Sequence, residues 1–85
     1  MPATDKAAEW SCDEVEKWLT AIGAARYRQR FRRKKINGAK LLKMTEPMLV
    51  QLGISEAIPR KRLHMEIEVL RDFVENPQVR FYIQM

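Results

Sequence analysis

The 85 residues contain one cysteine, Cys12, so an internal disulfide is impossible and a reducing intracellular setting is expected. The expected location is the cytoplasm, with the nucleus as the alternative. Histidine also occurs once, as His64. One thiol and one imidazole supply neither a nucleophile–base pair nor the clustered ligands of a metal site. No catalytic residue, metal or cofactor is therefore assigned. Long apolar runs are missing as well. None approaches the roughly 20 residues of a membrane span, and the N-terminus lacks the apolar core of a signal peptide. Internal repeats and low-complexity segments are absent. Acid is missing from one long stretch, since no Asp or Glu lies between Arg26 and Thr45.

The residues that are present describe a folded chain. Hydrophobic residues make up 46% and charged residues 32%, the balance of a globular domain and not of a disordered one. The length suits one domain. The formal net charge of +5 favours acidic partners: nucleic acid, anionic lipid, or an acidic protein surface.

The strongest periodicity spans residues 58–75. Leu63, Ile67, Leu70 and Val74 recur at steps of four, three and four, which puts them on one stripe of an α-helix. Ile58 and Phe73 widen that stripe. Pro59 suits a first turn, where no backbone donor is needed, and Pro77 bars continuation. Such a helix is about 25 Å long, enough to act as the spine of a small domain. Its first turn carries Arg60, Lys61 and Arg62. Positive charge there opposes the helix dipole at roughly 0.3–1 kcal/mol per exposed charge. A local rule broken in this way points to function.

Four shorter helices precede the spine. Residues 1–9 are small and polar and are expected to form a flexible leader. Ser11 and Glu14 have the spacing of a capping box, and Val15, Trp18, Leu19 and Ile22 give a first helix over 12–21, stopped by Gly23. A second helix fits 24–33, with Tyr27 and Phe31 facing inward among arginines. Like charges at i,i+4, such as Arg26 with Arg30 and Arg28 with Arg32, each cost a few tenths of a kcal/mol. No nearby carboxylate in the sequence offsets them. Asn37-Gly38 marks a turn, and 39–42 gives barely one helical turn with Leu41 and Leu42 available to the core. Thr45 caps a fourth helix that carries Glu46, Pro47, Met48, Leu49 and Leu52 and ends at Gly53. Ile54 is a core residue. Residues 77–85 form a tail in which 79–83 alternate like a short strand.

The series Trp10, Val15, Trp18-Leu19, Ile22-Gly23, Tyr27, Phe31, Ile36-Asn37-Gly38, Leu41-Leu42, Met44-Thr45, Leu49, Leu52-Gly53-Ile54, Arg60, Leu63 and Ile67 resembles the sterile alpha motif (SAM) domain. The resemblance covers residues 10–73. It implies an all-α fold, a compact five-helix SAM-type bundle with a long C-terminal helix, with domain limits at 10–76. It also implies a non-enzymatic protein-interaction module, an adaptor or scaffold in signalling. Domains of this family commonly associate head to tail. A basic end-helix surface at the start of the long helix meets an acidic mid-loop surface from the central helices. Ile58, Arg60, Lys61, Arg62 and His64 occupy the end-helix position here.

The central segment differs from the family pattern. It is basic, and Arg28, Arg32, Arg33, Lys34, Lys35, Lys40 and Lys43 make it a second basic surface. Self-association through the usual pair would set positive against positive, which can cost several kcal/mol. The expected partner is therefore another SAM-domain protein with an acidic mid-loop surface. The alternative is RNA. SAM domains of the Smaug type bind RNA hairpins at this corner with an Ala-Leu-Gly-Ala-Arg-like run. Here the run is Ala57-Ile58-Pro59-Arg60, without the glycine, and the surface would comprise residues 26–43 and 60–62.

Overall fold

The Ser11–Glu14 capping box forms as its spacing predicts. In the computed structural model, which describes residues 1–76 and 78, the Glu14 N–H donates to Ser11 Oγ at 3.2 Å and the Ser11 N–H donates to Glu14 Oε1 at 3.0 Å. This box opens α1 (Cys12–Ala21). A 3-10 turn (Ala25–Tyr27) then runs into α2 (Arg28–Arg33). The remaining helices are α3 (Gly38–Leu41), α4 (Glu46–Gln51) and α5 (Ala57–Glu75). Asn37 caps α3 by accepting from the Lys40 N–H at 3.0 Å, and Thr45 caps α4 by accepting from the Met48 N–H at 3.4 Å. Five α-helices and no strand occur among the described residues, so the fold is the expected all-α bundle with a long last helix.

Three of the short helices end the same way. Gly23, Lys35 and Gly53 have φ of 83°, 53° and 94°. After each, the chain folds back so that the next N–H reaches a carbonyl five residues earlier: Ala24 to Leu19 at 2.7 Å, Ile36 to Phe31 at 3.0 Å, and Ile54 to Leu49 at 3.0 Å. This is the left-handed C-terminal motif that returns an apolar residue to the core. Ala24 and Ile54 are accordingly buried, and Ile36 packs against the core. Glycine makes the motif legible at residues 23 and 53. Lys35 adopts the same φ without that signal.

The core gathers around α5. Leu63, Ile67 and Leu70 are buried from this helix, against Val15, Trp18 and Leu19 of α1, Phe31 of α2, Leu41 of α3 and Leu49 of α4. The Trp10 and Trp18 rings meet at 6.3 Å between centroids. Arg71 ties α5 to the end of α3, donating from Nε to the Leu42 carbonyl at 2.6 Å and from Nη2 to the Met44 carbonyl at 3.2 Å. Leu70→Ala should destabilise by roughly 2–5 kcal/mol in chemical denaturation, the cost of a cavity in a packed core. A loss below about 0.5 kcal/mol, of the order of a surface substitution, would contradict this helix phase.

Two expectations do not hold in the structure. Ile58 does not widen the buried stripe, because it is 82% exposed. It lies in the first turn, ahead of the point where α5 meets the core. Within the expected flexible leader over residues 1–9, residues 4–9 are packed structure. Thr4–Glu9 is a 3-10 segment packed on α5 and α3, and Ala7 is fully buried. The Gly38 N–H donates to the Trp10 carbonyl at 2.9 Å, and Trp10 Nε1 donates to the Ala3 carbonyl at 3.1 Å. Small residues on both sides allow this approach, and composition alone does not reveal it. The strand-like alternation at 79–83 lies outside the described residues, as does all of the 77–85 tail except residue 78.

Candidate protein-interaction site

The first turns of α5 carry the charges singled out in the sequence, and the structure divides them. Arg60 turns inward: Nε donates to Glu46 Oε2 at 3.1 Å and Nη1 to the Ser55 carbonyl at 2.8 Å. Its side chain is 17% exposed. Arg60 therefore braces α5 against the start of α4, and Glu46 offsets part of its conflict with the helix dipole. His64 is also engaged within the domain, with Nδ1 at 3.2 Å from Glu68 one turn on. Lys61 and Arg62 are exposed and make no ion pair among the described residues. Ile58 shares this end of the helix with them. Beside it opens a cleft of about 520 Å³, whose wall includes Ile22, Tyr27, Pro59 and Leu63. Of the five end-helix residues, Ile58, Lys61 and Arg62 thus face outward together.

The second basic surface divides in the same manner. Arg28 Nε donates to the Ala25 carbonyl at 3.2 Å. Arg30 donates to the Gly53 carbonyl, and the Arg26 and Arg30 guanidinium carbons lie 4.8 and 5.9 Å from the centre of the Tyr27 ring. Arg32 bridges to Asp13 and Glu16 of α1. Its hydrogen bond to Asp13, and then that to Glu16, raises the Arg32 pKa above its ordinary value, so the group stays charged. The carboxylates missing around α2 in the sequence are thus supplied by α1. Arg33, Lys34, Lys35, Lys40 and Lys43 are exposed and have no ion pair among the described residues. Glu46 is the sole carboxylate between Arg26 and Ser55, and Arg60 holds it.

No group of three or more His, Cys, Asp or Glu among the described residues is placed to hold a metal ion. No helix among them is long and apolar enough to cross a membrane. The arrangement presents exposed charge and an exposed apolar side chain, which suits docking against another surface.

Comparison with known proteins decides the family. The model of the SAM domain (sterile alpha motif) matches residues 8–71. The chain belongs to the SAM domain family. SAM domains are generally protein–protein interaction modules, and they commonly pair with other SAM domains. This SAM domain is 35% identical to the NAD(+) hydrolase SARM1 of Danio rerio over 65 residues, 75% of the chain and 9% of that protein. It is 34% identical to the mitogen-activated protein kinase kinase kinase MST11 of Pyricularia oryzae, over 79% of the chain and 7% of that protein. It is 34% identical to the bifunctional apoptosis regulator of Homo sapiens, over 84% of the chain and 17% of that protein. The chain spans a small part of each relative, so the activities in their names describe those whole proteins. No solved structure gives a significant match.

Periodicity did not mark every residue of this SAM domain's exposed end. Ile22 and Tyr27 pack against the core, as helical spacing assigns them, and their exposed edges also line the cleft beside Ile58. Ile22 is the C-cap of α1 and Tyr27 closes a 3-10 turn. At helix ends a side chain meets the core with one edge and lines a surface cleft with the other.

Proposed function

We propose that this SAM domain is an adaptor module that docks through Ile58, Lys61 and Arg62 onto an acidic surface of another SAM domain. The observation that carries this reading is Ile58, 82% exposed beside two exposed cations. An isoleucine left in water at that place gains by burial against a partner. Lys61 and Arg62 would steer the encounter and set its specificity. Arg60 would position them by bracing the helix end. A heterotypic partner fits best, because the domain's own central surface has no free carboxylate to offer.

The nucleic-acid alternative is weaker. Arg28, Arg30, Arg32 and Arg60 are all engaged within the domain. What remains is a set of lysines with Arg33 and Arg62, and Arg26 beside the Tyr27 ring.

The test is calorimetric titration against purified SAM domains with acidic central surfaces, at low and moderate salt. One-to-one binding that weakens with salt is expected. Lys61→Glu with Arg62→Glu should lower affinity at least about tenfold, and Ile58→Asp should do the same. Binding that ignores all three substitutions would refute the reading. So would large self-associated species in light scattering that disperse on the Lys61 and Arg62 reversal.

A further inference from the structure

With Arg28, Arg30 and Arg32 engaged, the free charge of the central segment is mostly lysine, and the fold gathers three of these lysines. Lys34 is the C-cap of α2, Lys40 lies on α3, and Lys43 follows α3. All three border one groove of about 400 Å³. Its apolar lining comes from Ile36, Met44, Met48 and Leu52. Met48 is 45% exposed, and among the described residues no carboxylate lines the groove.

We infer that this groove docks an acidic peptide segment of a partner protein, one bearing aliphatic side chains. Each part of the groove argues for that chemistry. Three lysines around one concavity repel one another, and an occupant with carboxylates relieves the repulsion. Lysine stems can lie along apolar surface while their ammonium groups reach the rim of whatever is bound. The lining is aliphatic, and Met48, its exposed methionine, adapts to side chains of different shape, while Met44 is buried. The size falls within the roughly 300–1,000 Å³ of ordinary ligand pockets. A nucleic acid fits less well, because among the described residues the groove has no aromatic ring on which a base would stack. A lipid surface fits less well too, since it takes up protruding apolar groups and this apolar surface is recessed. The site shares no residue with the α5 surface assigned above.

The experiment pans a phage-displayed random peptide library against the intact chain, then titrates resynthesised, fluorophore-labelled peptides by anisotropy. Enriched peptides should place Asp or Glu beside aliphatic residues. Lys40→Glu with Lys43→Glu should weaken them at least about tenfold, as should Met48→Asp, while Lys61→Glu with Arg62→Glu should leave them unchanged. These positions are exposed, and melting curves with circular dichroism establish that each variant is folded. A pool without acidic residues, or binding indifferent to the lysine reversal, overturns the inference. Tighter lysine-dependent binding of labelled oligouridylate or of phosphatidylserine vesicles overturns it in favour of those ligands. Self-association abolished by the lysine reversal would instead assign the groove to a second copy of the chain. None of these results bears on the α5 contact, so the two proposals fail separately.

Discussion

Phe31→Ala should remove about 3–5 kcal/mol of stability, the usual range for deleting a buried aromatic side chain. The whole domain has only about 5–10 kcal/mol to lose, on the scale of small single domains. Phe31 is 1% exposed and is the only buried residue of α2. Around it stand Arg28, Arg30, Arg32 and Arg33. The polar anchors of α2, the pairing of Arg32 with α1 and the bond from Arg30 to the Gly53 carbonyl, are exposed to water, where ion pairs contribute about 0–1 kcal/mol. One aromatic side chain therefore holds the most basic helix of the domain in place. Urea denaturation followed by Trp10 and Trp18 fluorescence reads the effect. Phe31→Leu keeps most of the volume and should cost less than about 1.5 kcal/mol. Equal losses from the two substitutions would mean that α2 is held by something other than this packing.

Gly38→Ala is the second large effect, and its sign is the informative part. In an ordinary helix this substitution stabilises by about 1 kcal/mol. Here the added Cβ would stand 1.8 Å from the Ala7 carbonyl oxygen and 2.9 Å from both the nitrogen and the Cβ of Trp10. Two of these three atoms are backbone, so no rotamer change removes the collision. Either the Thr4–Glu9 segment lifts from α3 or Trp10 leaves its place beside Trp18. Overpacking of this kind costs roughly 1–3 kcal/mol, and displacing an element adds to it. Thermal melting gives the loss, and amide exchange at Lys6 and Trp10 gives its location, because both N–H groups bond within this region. An unchanged or raised melting temperature would show that residues 4–9 do not pack against Gly38.

The helices themselves were largely legible in the sequence. The step pattern of Leu63, Ile67 and Leu70 sets the buried face of α5, and all three are buried. Ser11, Thr45, Gly23 and Gly53 mark helix ends because their chemistry acts within a few residues, so spacing alone identifies them. Asn37 was legible only in part: it reads as a turn residue, and it acts as the cap of α3. Lys35 carried no signal, because it takes a left-handed conformation that its residue type disfavours.

Taken alone, the sequence determined the fold class, the number of helices, the phase of the long helix and the family. Each depends on periodic burial or on contacts within a turn, and these are written in residue order. The tertiary structure alone decided which charges are free. Arg32 finds Asp13 19 positions away, Arg60 finds Glu46 14 positions away, and Arg71 reaches the Leu42 carbonyl 29 positions away. Ionic and hydrogen-bond partners are chosen by distance in space, and a list of basic residues carries no distance. The same limit hid the packing of Ala7 against Gly38 and the meeting of Lys34, Lys40 and Lys43 around one groove. The charge free at this domain's surface is what is left over after folding, and only the fold performs that subtraction.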